Sequence, residues 1–192
     1  NKKVIAFVED VAASGGYWLA CAADEIYIDQ NSIIGSIGVI SPSFGFVDLI
    51  KKLGIERRLL HAGDNKGFMD PFQPLKVAET THIQGLLNEI HQQFIDVVKQ
   101  GRGDRLKDDE TLFSGLIWTG KESIKLGLVD ELASASQIAR DIIGAEDIID
   151  YTKRENYLDQ FSKKIGSAVN FRRVENVGPK VSGELLKQGL TA

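Results

Sequence analysis

One serine follows a buried strand and precedes a helix, the position that a nucleophile would take. Residues 4–8 form a short apolar run rich in β-branched residues, typical of a strand covered on both faces. Ser14 is followed by Gly15 and Gly16, which permit a tight turn, and the apolar segment 17–22 predicts a buried helix. Ser14 would then lie beside free backbone N–H groups, and the Gly15 N–H could hold an oxyanion.

The same stretch also allows a purely structural role for the serine. The turn resembles the nucleophile elbow of hydrolases, although Ala12 stands in place of the first glycine of that motif. Serine is also a favoured N-cap residue, so Ser14 could simply cap the helix that follows. Both interpretations stay open on this stretch alone.

A serine nucleophile needs a base, and the histidines offer no recognisable one. His61, His82 and His91 lack the neighbouring pattern of a triad, and each is interpreted as a surface residue. The single cysteine, Cys21, falls in the predicted buried helix and is interpreted as a small core residue. No phosphate-binding loop, dinucleotide fingerprint or metal-ligand motif is present, so we expect neither a cofactor nor a metal.

A lysine can replace histidine as the base if it is uncharged. Free lysine has a pKa near ~10.4, so such a base must be buried and hydrogen-bonded to a hydroxyl. Lys66 lies in a loop, residues 62–74, whose apolar residues could form a wall around it. Asp64 and Asp70 would instead favour its charged form. A solvated loop lysine and a working base are both open at this point.

Composition and charge are those of a globular domain with a real core. The chain has 192 residues, 43% of them apolar, and a net charge of −4, so nucleic acid is not an expected partner. No apolar run approaches the roughly 20 residues that a membrane span needs. The chain starts without methionine and almost at once in a strand. We therefore expect a fragment that lacks upstream strands and any membrane anchor.

Strands and helices alternate along the chain, which predicts an α/β fold with a largely parallel sheet and flanking helices. One domain is expected over residues 1–170 and a tail over 171–192. Glycines in the predicted strand 31–40 suggest either an extended peptide bound along its edge or a core strand without a ligand. Further strands are predicted at 25–28, 55–61, 128–130 and 147–151, and further helices at 46–53, 75–100, 121–126, 136–143 and 155–169.

Four motifs, taken together, resemble the signal peptide peptidase A (SppA/SohB-like) family of Ser/Lys serine peptidases. They are residues 12–17 (AASGGY), 34–39 (IGSIGV), 62–66 with the following Pro-Phe, and 127–130 (GLVD). The resemblance covers about residues 4–145 and implies a crotonase-like (ClpP-like) α/β fold whose N-terminal part is missing. It also implies cleavage of short apolar peptides, such as released signal peptides. The implied location is the bacterial cell envelope, anchored to the inner membrane with the catalytic domain periplasmic or extracytoplasmic.

The resemblance also implies roles for individual residues. Ser14 matches the nucleophile and Lys66 the general base. Gly15 matches the residue whose N–H faces the oxyanion, and Ser36 a hydroxyl that orients the lysine. The strand that would line the substrate groove contributes Ile33, Gly35, Ile37, Gly38 and Val39.

The chain departs from the family pattern at two positions near the lysine. Asn65 stands where tyrosine is frequent, and Asp70 stands where serine often precedes the proline. Family members assemble into homo-oligomeric rings, in some of which the dyad forms between subunits, so Lys66 could serve the Ser14 of another copy. The second oxyanion donor of the family lies upstream of residues 4–8. Two alternatives remain, a crotonase-type acyl-CoA enzyme and a non-catalytic assembly subunit of the same fold.

Overall fold

Two three-stranded sheets form the centre of the fold in the computed structural model, which describes residues 2–145, 147–149 and 151. The first sheet has the order β1 (Ile5–Val8), β3 (Glu25–Ile28), β6 (Glu131–Leu132), and both of its pairs are parallel. The second sheet has the order β2 (Val11–Ala13), β4 (Ile33–Gly35), β5 (Ile117–Thr119). There β2 and β4 are parallel, whereas β4 and β5 are antiparallel.

The two sheets are consecutive along the same two chain segments, because β1 leads into β2 and β3 leads into β4. Hydrogen bonds continue through the bend between them, from Asp29 N–H to Val8 O and from Ile33 N–H to Asp10 O. The last bond of this series runs from Ser14 N–H to Gly35 O, at 2.8 Å. The ladder therefore leads directly to Ser14 and fixes its backbone against the end of β4.

The helices surround these sheets and provide the walls of the site. Helix α3 is the longest of the described helices, and Phe94 and Val98, one turn apart, bury its apolar face. Phe94 stacks on Trp18 of the first helix with 4.8 Å between ring centroids, which joins the two helices. The helices are α1 (Gly15–Ala20), α2 (Val47–Lys52), α3 (Val77–Arg102), α4 (Gly120–Lys125) and α5 (Ala135–Gln137), with a 3-10 turn at Gly103–Arg105 and a π-helical segment at Ile138–Ile143.

The core lies between the first sheet, α1 and α3. Tyr17 is buried at its centre, and its hydroxyl donates a hydrogen bond of 2.7 Å to the Leu128 carbonyl. Burial raises the pKa of Tyr17 strongly, so its hydroxyl stays protonated and keeps donating. Cys21 is also buried in the core, which confirms its interpretation as a core residue.

Most predicted elements are confirmed, but four predicted strands are not, three of them before residue 131. The segment 55–61 forms no strand and is largely exposed, with Leu60 98% exposed. In the predicted strand 31–40 only Ile33–Gly35 is a strand, because the backbone turns into positive φ at the next residue. The strand predicted at 128–130 lies instead at Glu131–Leu132.

Several predictions concern the C-terminal part of the chain. Residues 147–149 and 151 contain no strand, so the strand predicted at 147–151 is wrong for the residues that the structure describes. The predicted helix 155–169 and the tail 171–192 lie outside the described residues. All elements given above belong to the unit Asn1–Ile148.

Candidate active site

Ser14 occupies a strained turn between β2 and α1. Its φ of 53° and ψ of −122° lie in a region that residues with a side chain rarely adopt. The turn is held on both sides. The Ser14 N–H donates to Gly35 O, and the Ser14 carbonyl accepts from the N–H groups of Tyr17 and Trp18, each at 3.0 Å. Such locked strain is typical of a functional residue rather than of a connecting turn.

The Ser14 side chain does not serve as a helix cap. Ser14 takes the N-cap position of α1, but its hydroxyl accepts no capping hydrogen bond and the residue is exposed. The capping interpretation is therefore wrong. The adjacent Gly15 N–H has no acceptor among the described residues, and the space around Gly15 is open to 4 Å. A hydroxyl and an unpaired amide thus stand side by side at one open surface.

An open groove of about 710 Å³ begins at these two residues. Helices α1 and α3 form one wall, and the segment after β4 together with the loop before β5 forms the other. Its lining combines hydroxyl and imidazole groups with large apolar side chains. The lining residues are Ser14, Gly15, Trp18, Ser36, Gly38, Val39, Ile40, Ile90, His91, Phe94, Ser114 and Gly115.

The groove wall after β4 is a tight turn rather than a strand. Gly35 has φ of 103°, and a Cβ there would lie 2.6 Å from the Trp118 ring, so only glycine fits. Ser36 also has positive φ, 53°, and its N–H donates to Leu116 O at 2.7 Å. The Gly38 N–H closes the turn on Ser36 O at 2.9 Å. The turn presents its residues to the groove in a fixed arrangement.

The structure brings together part of the predicted site. Ser14, Gly15 and Ser36 line one groove, together with Gly38 and Val39. The other predicted substrate-binding residues do not contribute side chains to this lining. Ile37 is fully buried in the core, Gly35 packs against Trp118, and Ile33 pairs with Thr119 in the second sheet. The substrate contacts of all these residues stay predictions.

Lys66 lies elsewhere on the surface of the same chain. It is exposed and does not line the groove at Ser14. Its backbone N–H closes a turn on Gly63 O at 3.1 Å, while its Nζ has no hydrogen bond or ion pair within the part of the chain that the structure describes. A single chain therefore does not place Ser14 and Lys66 in a shared cavity.

The loop that carries Lys66 is nevertheless anchored at several points. Met69, which has a φ of 56°, donates its N–H to Glu79 Oε2 at 3.2 Å. The Phe46 N–H donates to Pro71 O at 2.7 Å, which ties the loop to the start of α2. Asp70 pairs with Arg57 at 3.2 Å, so its charge is matched by an arginine. These contacts fix the loop, and the Lys66 side chain is exposed on its surface.

Sequence reasoning missed two functional or structural positions. His91, interpreted as a surface residue, lines the groove, with Nε2 3.1 Å from the Ile37 carbonyl oxygen. Its position three residues before buried Phe94 on the apolar side of α3 was the available signal. Arg102, which lies beyond the end of the predicted helix 75–100, is 1% exposed and pairs with Asp130 at the end of α3. Among the described residues, no three His, Cys, Asp or Glu side chains gather as a metal site.

The comparisons with known proteins assign the chain to a family. The model of peptidase family S49 matches residues 1–145. The chain is 53% identical over 144 residues to a protein named Na(+)/H(+) antiporter NhaA of Brucella abortus, covering 75% of this chain and 20% of that protein. It is 29% identical over 150 residues to a putative signal peptide peptidase SppA of Enterococcus faecium, covering 78% of this chain and 41% of that protein. A solved structure of a membrane-bound stomatin-specific protease aligns with 99% of this chain and 71% of its own, at 17% identity and a TM-score of 0.35.

The chain therefore belongs to peptidase family S49, and the predicted resemblance to SppA/SohB-like peptidases is confirmed. The predicted crotonase-like α/β class is confirmed as well. The family model covers residues 1–145, and three of the four strand pairings within the described residues are parallel, as expected for a largely parallel sheet. The chain spans about a fifth of the length of the Brucella relative and about two fifths of the length of the Enterococcus relative. Within the described part of the chain, no helix has the length and apolar character needed to cross a membrane.

Proposed function

We propose that this chain is the catalytic part of a serine endopeptidase that uses a Ser/Lys dyad. The observation that carries the proposal is the conformation of Ser14. It is strained, held by three backbone hydrogen bonds, free of any capping role and open to a groove. Membership of a peptidase family supplies the reaction class.

The proposed reaction proceeds through an acyl-enzyme. Neutral Lys66 Nζ takes the Ser14 hydroxyl proton while Ser14 Oγ attacks the scissile amide carbon. The Gly15 N–H stabilises the oxyanion that forms, and Ser36 orients the lysine. The lysine then gives its proton to the leaving amine. In the second half, Lys66 takes a proton from water while the water oxygen attacks the ester carbon. The Ser14 Oγ–carbon bond then breaks, Lys66 returns the proton to Oγ, and the acid product leaves.

We further propose that the dyad forms between neighbouring copies in a ring. Lys66 is exposed on an anchored loop and stands outside the groove of its own chain. A head-to-tail interface that repeats around a ring can bring the lysine of one copy to the serine of the next. Burial at that interface would supply the desolvation that a neutral lysine needs. An isolated chain would then hold the nucleophile without its base.

The proposed substrates are short apolar peptides in an extended conformation, such as released signal peptides. The groove offers apolar walls from Trp18, Ile90 and Phe94, and a fixed backbone turn over Ser36 to Val39. Apolar walls favour apolar side chains, and a fixed backbone favours an extended chain. With such substrates, we propose a location in the bacterial cell envelope with the catalytic domain periplasmic or extracytoplasmic.

The proposal is tested with two single variants of the full-length protein and their mixture. Ser14→Ala and Lys66→Ala are each expected to abolish hydrolysis of a fluorogenic apolar peptide, whereas Lys121→Ala, an exposed lysine on α4, keeps it. When the two inactive variants are co-expressed, random mixing around a ring rebuilds about a quarter of the sites if the dyad spans two copies. The partial return of cleavage is therefore the expected result.

The outcomes test separately whether Ser14 and Lys66 form the dyad and whether that dyad forms between copies. Cleavage retained by either single variant would overturn the dyad, because another residue would then have to supply the nucleophile or the base. Loss in both variants without recovery in the mixture would place the dyad within one copy.

A further inference from the structure

We propose that His91 is a positioning residue of the peptidase, one that fixes the peptide-binding turn of the groove; the inference rests on the proposed function. His91 Nε2 lies 3.1 Å from the Ile37 carbonyl oxygen. Because a carbonyl only accepts hydrogen bonds, Nε2 must carry the proton and donate it. The contact joins α3 to the turn after β4 across 54 positions of sequence.

The Ile37 carbonyl is the point at which this turn can be held from the side of α3. Within the described residues, the His91 bond is the hydrogen bond that connects α3 with residues 36–40. The Ile37 side chain is buried in the core, and Gly38 and Val39, which follow it, lie in the groove lining. Ser36 is tied separately, through its N–H, to Leu116 O. His91 therefore controls the Gly38–Val39 side more than the Ser36 side.

The imidazole itself is held on a rigid element. His91 is half-buried and lies three residues before Phe94, which stacks on Trp18 at 4.8 Å. Val98, one turn further along, is fully buried. A side chain on a helix packed in this way holds its partner more precisely than one on a loop. The arrangement suits a residue that acts through another rather than on the substrate.

The effect of losing the His91 hydrogen bond is expected to differ between an extended peptide substrate and a small probe. An extended peptide must lie along Gly38 and Val39, whereas a small fluorophosphonate probe reacts with Ser14 and needs little of that wall. Loss of the His91 bond is therefore expected to lower kcat/KM for an apolar peptide about tenfold, the scale of one lost hydrogen bond. The rate of Ser14 labelling is expected to stay within about twofold.

The test compares His91→Leu, which cannot donate, with His91→Gln, whose side-chain amide can still reach the Ile37 carbonyl. Gln93→Ala, an exposed residue on the same helix, is the matched control. In the full-length protein, the leucine variant should lose peptide cleavage but not Ser14 labelling, and the glutamine variant should recover most of the cleavage. Wild-type cleavage in His91→Leu, or an equal loss of labelling and cleavage, would overturn the proposal.

A second measurement does not depend on activity. Hydrogen exchange of the Gly38 amide, which donates to Ser36 O, should accelerate in His91→Leu and stay close to wild type in His91→Gln. Unchanged exchange in the leucine variant would overturn the positioning role even if the protein proves not to be a peptidase. Absent labelling of wild-type Ser14 would instead overturn the proposed function alone.

Discussion

At the scale of single residues, the backbone of Ser14 has an unfavourable conformation that hydrogen bonds from its neighbours maintain. A side chain at φ 53° and ψ −122° costs about 1–3 kcal/mol, and the structure around it must supply that energy. The bond to Gly35 and the two bonds from α1 are the contacts that do so. In this conformation Ser14 is part of the groove lining.

The first prediction follows from this strain. Glycine adopts positive φ without penalty, whereas alanine does not. We expect Ser14→Gly to have a free energy of unfolding about 1 kcal/mol higher than Ser14→Ala, although both lack the hydroxyl and neither cleaves peptide. Urea unfolding of the two variants measures the difference. Equal stabilities would show that the Ser14 backbone is not strained.

The Ser14 hydroxyl and the Cys21 thiol, at opposite ends of α1, differ in reactivity. Burial raises the pKa of Cys21 to about 11, so its thiol is almost wholly protonated near neutral pH and a poor nucleophile. Ser14, by contrast, is exposed at the start of the same helix. The only cysteine of the chain is therefore a packing residue, as its place in an apolar run predicted.

At the scale of elements, an ion pair joins the end of α3 to the first sheet. The Arg102 guanidinium donates to both Asp130 oxygens at 2.8 and 2.9 Å and to Gly127 O at 2.9 Å. Asp130 also accepts the Ile26 N–H of β3 at 2.7 Å, and Arg105 adds a second cation at 3.0 Å. This cluster explains the GLVD motif as a structural junction rather than a reactive one.

The charge state of Asp130 gives the second prediction. Burial alone would raise the pKa of Asp130, but the hydrogen bonds and charges of Arg102, with the Ile26 amide, outweigh it and hold the pKa below its usual value. A lowered pKa stabilises the fold above the unfolded value near ~3.9, and this stabilisation is lost as the pH falls through the folded pKa.

Asp130→Asn is therefore expected to lower the free energy of unfolding at pH 7 by about 3 kcal/mol, because it leaves the buried Arg102 charge unpaired. The difference from wild type should shrink as the pH falls below about 4. Unfolding by urea at several pH values measures it. A difference that is independent of pH would mean that the carboxylate charge does not stabilise the junction.

The predicted and observed elements together show which helices and strands sequence patterns can locate. Apolar periodicity located β1, β3, α2 and α3 within two residues. Strand β3 and helix α3 bury apolar residues, whereas α2 has no buried residue and was located by its spacing alone. The segment 55–61 has the composition of a strand, but among the described residues no strand pairs with it. The strand predicted over residues 31–40 is shorter in the structure because the backbone takes positive φ at Gly35 and Ser36 and the strand ends there. The glycine content of the segment does not reveal the sign of φ.

At the scale of the whole molecule, the site could be predicted only in part. The motif around Ser14 indicated the turn, since a strand, a serine and two glycines are adjacent in sequence. The positions of Lys66 and His91 depend on how distant segments pack, and local spacing does not encode that. His91 reaches the groove because α3 crosses α1, and Lys66 stays outside it because its loop docks on α2 and the start of α3.

In the proposed mechanism, Ser14 is a nucleophile that needs a lysine from an assembled neighbour. The most direct test of this mechanism is a serine-directed fluorophosphonate probe applied to the full-length, assembled protein, with the modified residue identified by mass spectrometry. We predict a single phosphonylated residue, Ser14, with labelling lost in Ser14→Ala and greatly slowed in Lys66→Ala. Labelling of another residue, or an assembled protein that is not labelled at all, would contradict the account.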